Sequence, residues 1–106
     1  MRQKELGRFS DVSFLILSSL ASGPKHGYAM MEDIKVFSGT QLEPGTLYGA
    51  IARLEKLGWI EALAAEERRR PYHITNKGAT VFREQVATLE QIAMTGKRRL
   101  ATLEGF

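Results

Sequence analysis

Arg68-Arg69-Arg70, together with Arg53 and Lys56, are the residues of this chain best suited to meet a partner. Adjacent guanidinium groups match the oxygen geometry of phosphates, or the walls of a narrow minor groove. Arg53 and Lys56 share a helical face with Gly45, Tyr48, Gly49 and Ala52. A face that is both small and basic can approach a polyanion closely, and the Tyr48 hydroxyl can hydrogen-bond a phosphate or a base. The groups that catalysis needs are not assembled. There is no cysteine, no Gly-rich phosphate loop, no nucleophile beside a base and no identifiable pair of acids. His26 and His73 lack ligand spacing, so neither a metal nor a cofactor is expected, and the chain reads as non-enzymatic.

Positioning these side chains requires a helix over the run from Leu42 to Gly58. Pro44 suits the first helical turn, where its missing N–H is not needed. Gly58 sits where a left-handed residue would end the helix. Leu47, Ile51, Leu54 and Leu57 recur at helical spacing on the side opposite the basic face. A helix of this kind can enter a DNA major groove. Next come two short strand-like runs, Trp59 to Leu63 and Pro71 to Ile74, separated by a polar loop ending in the three arginines. Pro71 is tolerated at the first residue of a strand or on an edge strand. A recognition-type helix followed by a basic-tipped hairpin predicts a winged helix-turn-helix.

Upstream, residues 1–9 read as a short arm, and Ser10 as the cap of a helix from about Asp11 to Ala21. That helix is apolar on more than one side and should be deeply buried. Ser22-Gly23-Pro24-Lys25 breaks the chain. A second helix is expected over Gly27–Ser38, with Met30, Ile34 and Phe37 on one face and Gly39 as its stop. Downstream, Thr75 or Asn76 caps a final helix from about Lys77 to Leu103, with a possible weak point at Gly96. Along it Phe82, Val86, Leu89, Ala93, Gly96, Leu100 and Leu103 are spaced 4, 3, 4, 3, 4, 3. This heptad seam predicts dimerisation with a second copy. At roughly 25 cal/mol per Å² of apolar surface, leaving it wet would forfeit several kcal/mol.

The expected fold is therefore mostly α with a small β-hairpin: a winged helix-turn-helix plus a long C-terminal dimerisation helix. Residues 1–75 would form the DNA-binding part and residues 76–106 the dimerisation helix, in one compact unit. The 106 residues suit one domain, with 43% hydrophobic and 25% charged residues. Net charge is +3 and the pI about 9.5, which makes a polyanion partner plausible without requiring one. Lys97-Arg98-Arg99 reads as a solvated helix face. No apolar run reaches the ~18 residues of a membrane span, so no membrane partner is expected and the location is expected to be cytoplasmic.

Several motifs together resemble the PadR-like transcriptional regulators. They are His26-Gly27-Tyr28, the block Pro44-Gly45-Thr46-Leu47-Tyr48, Arg53-Leu54-Glu55 with Gly58, and Arg69-Arg70-Pro71-Tyr72 leading to Ile74-Thr75 and Gly78. The similarity covers about residues 8–80, and the single final helix resembles the compact branch of the family. The resemblance implies a homodimeric repressor that binds an inverted-repeat operator in double-stranded DNA. The DNA-contacting set is then Gly45, Thr46, Tyr48, Gly49, Arg53, Lys56, Arg68, Arg69 and Arg70, while a small-molecule inducer stays open. Two positions depart from the family pattern. Glu43 stands where a small residue or serine is common, and Gly49 where proline is frequent. A carboxylate at Glu43 favours the helix N-terminus but opposes a phosphate there. The alternative function is a winged helix that binds only protein.

Overall fold

The computed structural model describes residues 11–105. Helix α1 spans Val12–Leu20, strand β1 Lys25–His26, α2 Gly27–Ser38, α3 Pro44–Leu57, β2 Ile60–Ala62, β3 Pro71–Ile74 and α4 Asn76–Glu104.

The cap of α1 is Asp11, whose carboxylate accepts the Phe14 N–H at 3.0 Å. Ser10, expected in that role, and the arm before it lie outside the described residues. As its composition predicts, α1 is the central helix, burying Leu15, Ile16, Leu17 and Leu20. Its buried Ser19 donates to Asp33 of α2 at 2.7 Å, so the hydroxyl is satisfied. At the C-terminal end, Lys25 donates to the Ser19 carbonyl and to Ser22 Oγ, placing a cation where the helix dipole favours one.

Helix α2 has the expected bounds. Gly39 ends it at φ 75°, in the left-handed region that glycine enters without a steric penalty. Met30 and Ile34 are buried, whereas Phe37 sits at the stripe's edge, partly exposed. Helix α3 ends in a Schellman motif. Gly58 takes φ 78°, and the Gly58 and Trp59 N–H groups return to the Glu55 and Leu54 carbonyls. Leu47, Ala50, Ile51 and Leu54 face the core. Leu57, expected inward, has rotated to the margin of the last turn and is exposed.

The sheet is antiparallel in the order β1-β3-β2, with Lys25 opposite Tyr72, His26 opposite Pro71, and Ile60 opposite Ile74. Strand β1 adds a third strand to the expected hairpin, so β3 is central. Pro71 is its first residue, one of the two placements that the missing N–H allows. Thr75 caps α4 by accepting the Gly78 N–H, and also donates to the Gly58 carbonyl, tying α4 to the end of α3. Gly78 is required here, because a Cβ would collide with the Trp59 carbonyl. Trp59 itself packs against the core.

Helix α4 runs 29 residues without interruption at Gly96. Its two halves differ. Val81, Phe82, Gln85, Val86 and Leu89 lie partly buried, and the Phe82 ring stacks at a tilt on Phe14 with centroids 5.3 Å apart. Phe82, expected on an intermolecular seam, is half-buried and packs against the protomer's own core. Beyond Glu90 the helix projects away, leaving Ile92, Met94, Leu100 and Leu103 exposed.

Candidate nucleic-acid interface

The burial of one side of α3 forces the other outward. Gly45, Thr46, Tyr48, Gly49, Arg53 and Lys56 are all exposed. A Cβ at Gly45 or Gly49 would meet nothing within 4 Å. Packing among the described residues therefore does not require glycine at either position. Gly49 in mid-helix costs about 1 kcal/mol of propensity relative to alanine. The Arg53 guanidinium donates to Ser13 Oγ at 3.0 Å, which pins it across to α1. Glu43 is the N-cap residue but its carboxylate makes no cap hydrogen bond, so it stands exposed at the entry to α3.

The hairpin loop narrows to a two-residue turn, Glu67-Arg68, closed by reciprocal backbone bonds between Glu66 and Arg69. Glu67 takes φ 56°, in the left-handed region that a non-glycine residue enters at a cost. The three arginines separate in role. Arg70 spans the loop base and donates to the Leu63 carbonyl at 3.1 Å. Arg69 lies 3.3 Å from His26 Nε2 at the head of α2. Arg68 sits exposed in the turn.

Between the wing and the helices lies a cleft of about 340 Å³. Arg68, Arg69 and Arg70 form one wall and Tyr48 of α3 another. His26, Gly27 and Tyr28 line its base, with Tyr72 of β3 beside them. Gly27 admits Tyr48, since a Cβ there would collide with the Tyr48 hydroxyl. Burial holds the Tyr72 hydroxyl above its ordinary pKa, helped by Glu55 and Tyr48 and opposed by Arg70, so it remains a neutral donor.

Motifs far apart in sequence thus meet in one place. The candidate set named from the sequence contained Tyr48 and the arginines but omitted His26, Tyr28 and Tyr72. The signal was present in His26-Gly27-Tyr28, whose glycine makes room for a ring from another helix. His73 lies away from this cleft, paired with Glu61 across the hairpin at 3.0 Å. Lys97, Arg98 and Arg99 are exposed on the projecting half of α4. Among the described residues, no group of three or more His, Asp or Glu is placed to hold a metal, and no helix is long and apolar enough to cross a membrane.

A helical core, a β-wing and an outward basic helix define the winged helix-turn-helix class of regulator. Residues 16–84 match the model of the transcriptional regulator PadR-like family, well over half of the chain, and the protein belongs to that family. A transcriptional regulator from Clostridium thermocellum is 32% identical, with 82% of this chain and 87% of that one aligned at a TM-score of 0.72. A PadR family transcriptional regulator from Eggerthella lenta is 29% identical over 86% of this chain and 82% of that one, with a TM-score of 0.74. A 37.1 kDa protein in a Streptomyces fradiae transposon is 37% identical over 86 residues, 81% of this chain. The chain spans 25% of the length of that curated relative.

Proposed function

We propose that this regulator binds double-stranded DNA as a homodimer and represses transcription from an inverted-repeat operator, working in the cytoplasm without catalysing a reaction. The observation that carries the DNA reading is the outer face of α3. It combines two glycines that packing does not require with Tyr48 and Lys56, beside a wing that presents Arg68 and Arg69. In this reading α3 enters the major groove through Gly45, Thr46, Tyr48 and Gly49. Arg53, Lys56 and the wing arginines meet phosphates and fix the register. Arg70 also stiffens the loop through the Leu63 carbonyl.

The dimer reading rests on the projecting half of α4. Leu100 and Leu103 are 52% and 64% exposed on this half of the helix, which the other described residues leave uncovered. A second copy would bury them, with the seam running through Phe82, Val86, Leu89, Ala93, Gly96, Leu100 and Leu103. Residues 1–75 then serve as the DNA-binding part and 76–106 as the dimerisation helix. The test is titration of the whole chain with duplex DNA at rising salt. Log affinity should fall linearly with log salt, by about 0.9 for each phosphate neutralised. Absence of duplex binding at low salt would overturn the reading.

A further inference from the structure

A row of charges of alternating sign runs along α4. Arg83, Glu90, Lys97 and Glu104 are spaced seven residues apart on one edge of the helix. All four are exposed, and none has an ion-pair partner among the described residues. Their own helix can supply none. A helical charge reaches residues three and four positions away, and only Ala, Thr, Val, Met and Leu stand there. Glu90, Lys97 and Glu104 each follow a seam residue, Leu89, Gly96 and Leu103, so the charged edge borders the seam. Charges that border an apolar seam pair across it and set the orientation of the partner.

We propose that a second copy lies antiparallel on α4, with Leu89 opposite Leu100, Val86 opposite Leu103 and Ala93 opposite Gly96. The inference rests on the dimer reading above and deepens it by fixing orientation and register. In this pairing Glu90 of each copy meets Lys97 of the other, and Arg83 meets Glu104. Both pairs occur twice by symmetry. A slip of one heptad sets like charges together in either direction. One slip puts Glu90 against Glu90 and Arg83 against Lys97. The other puts Lys97 against Lys97 and Glu90 against Glu104. A parallel pair leaves one complementary contact per side, Arg99 with Glu104, because Glu90 then faces Gln85 and Lys97 faces Ile92. The charges thus select one arrangement and oppose its nearest alternatives.

Apolar shape selects the same arrangement. Two grooves flank the proximal half of α4. One, of about 530 Å³, is lined in part by Phe14, Trp59, Val81 and Leu89. The other, of about 480 Å³, is lined in part by Ile74, Phe82 and Val86. Antiparallel pairing brings Leu100 and Leu103 of the second copy onto Leu89 and Val86, over both grooves, whereas parallel pairing leaves the grooves open. Ala93 and Gly96 then meet at the two-fold axis, where the backbones come closest. This accounts for a glycine that packing among the described residues does not require. At 1.5 Å per residue, the register separates the two copies of Phe82 by about 37 Å along the helix pair. That is close to one turn of B-DNA, roughly 34–36 Å.

Charge reversal in the full chain tests the register. Glu90→Lys and Lys97→Glu should each raise the dimer dissociation constant, on the order of tenfold, since each sets two like-charge pairs across the seam. Both changes in one chain should restore the wild-type value. A mixture of the two single variants should form heterodimers in preference to either homodimer. An effect of net charge alone would move the two single variants in opposite directions and would overturn the proposal. A double variant no tighter than the singles would do the same. Orientation has a separate readout. Lys77 is exposed, lies outside the seam and belongs to a chain without cysteine. Spin labels on Lys77→Cys should lie about 50–55 Å apart in the dimer. A separation within about 30 Å would show a parallel pair, and one displaced by about 10 Å a slipped register. Either result overturns the proposal while leaving the dimer intact. A wild type that sediments as a monomer would remove the dimer reading and this inference together.

Discussion

Gly49 in α3 and Gly96 in α4 both lie in mid-helix on exposed faces, and a Cβ on either would meet no atom within 4 Å. Each costs about 1 kcal/mol relative to alanine, and no packing contact among the described residues explains either. Their surroundings differ. Near Gly49 are Thr46, Tyr48 and Arg53, on a helix whose apolar side is already buried. Near Gly96 are Ala93, Leu100 and Leu103, on a stretch of helix that the other described residues leave exposed. The first face is complete as a folded surface and suits an anion. The second leaves apolar side chains exposed, which the proposed dimer would cover. In the proposed reading glycine permits close approach in both places, to different kinds of partner.

Five variants can break or sharpen this comparison, from the largest expected effect to the smallest. Leu100→Asp with Leu103→Asp places charges in the proposed seam, where unpaired burial is prohibitive. The variant should sediment as a folded monomer at micromolar concentration, with the wild type a dimer. A dimeric variant would remove the distal part of α4 from the interface. Next, replacing Arg68, Arg69 and Arg70 by alanine should lower the salt slope of the dimer by roughly 3–4 units, with about two phosphates lost per protomer. The preferred sequence should not change, because the reachable targets are phosphates or groove walls. An unaltered slope would mean that the wing stands off the DNA.

The two glycines provide a matched pair. Gly49→Ala should stabilise the fold by about 0.5–1 kcal/mol in denaturant titration and weaken DNA binding. Gly96→Ala should leave DNA contacts alone and raise the dimer dissociation constant. Parallel effects of the two would dissolve the distinction between the faces. The smallest effect is expected of Glu43→Ser. It removes an exposed carboxylate worth about 0.3–1 kcal/mol to the helix dipole and adds a capping hydroxyl. Titrations should show tighter binding on all duplexes alike. Weaker binding confined to one base pair of the operator would instead assign Glu43 to reading cytosine.

The bounds of α2 and α3 were legible because their stops are written locally. Gly39 and Gly58 adopt the left-handed conformation that their type favours, and Pro44 occupies the first turn of α3. Strand β1 was not legible. Lys25–His26 is two residues long after a Gly-Pro break, and it is a strand only because β3 pairs with it. Adjacent capping types hid the start of α1, where Asp11 takes the role that Ser10 also fits by type. The outer face of α3 could be read from periodicity alone. The partition of the three arginines could not, since the bonds of Arg69 to His26 and Arg70 to Leu63 depend on how the wing folds back. A heptad seam records apolar spacing but not which chain covers it, and Phe14 covers Phe82 from within.

The central claim is that two copies of α3, related by a two-fold axis through α4, read DNA together. Selection and sequencing of duplex fragments bound by the whole chain tests it most directly. The bound fragments should share an inverted repeat, with half-site centres about one helical turn apart, roughly 34–36 Å. A single unrepeated motif, or no enriched motif, would contradict it.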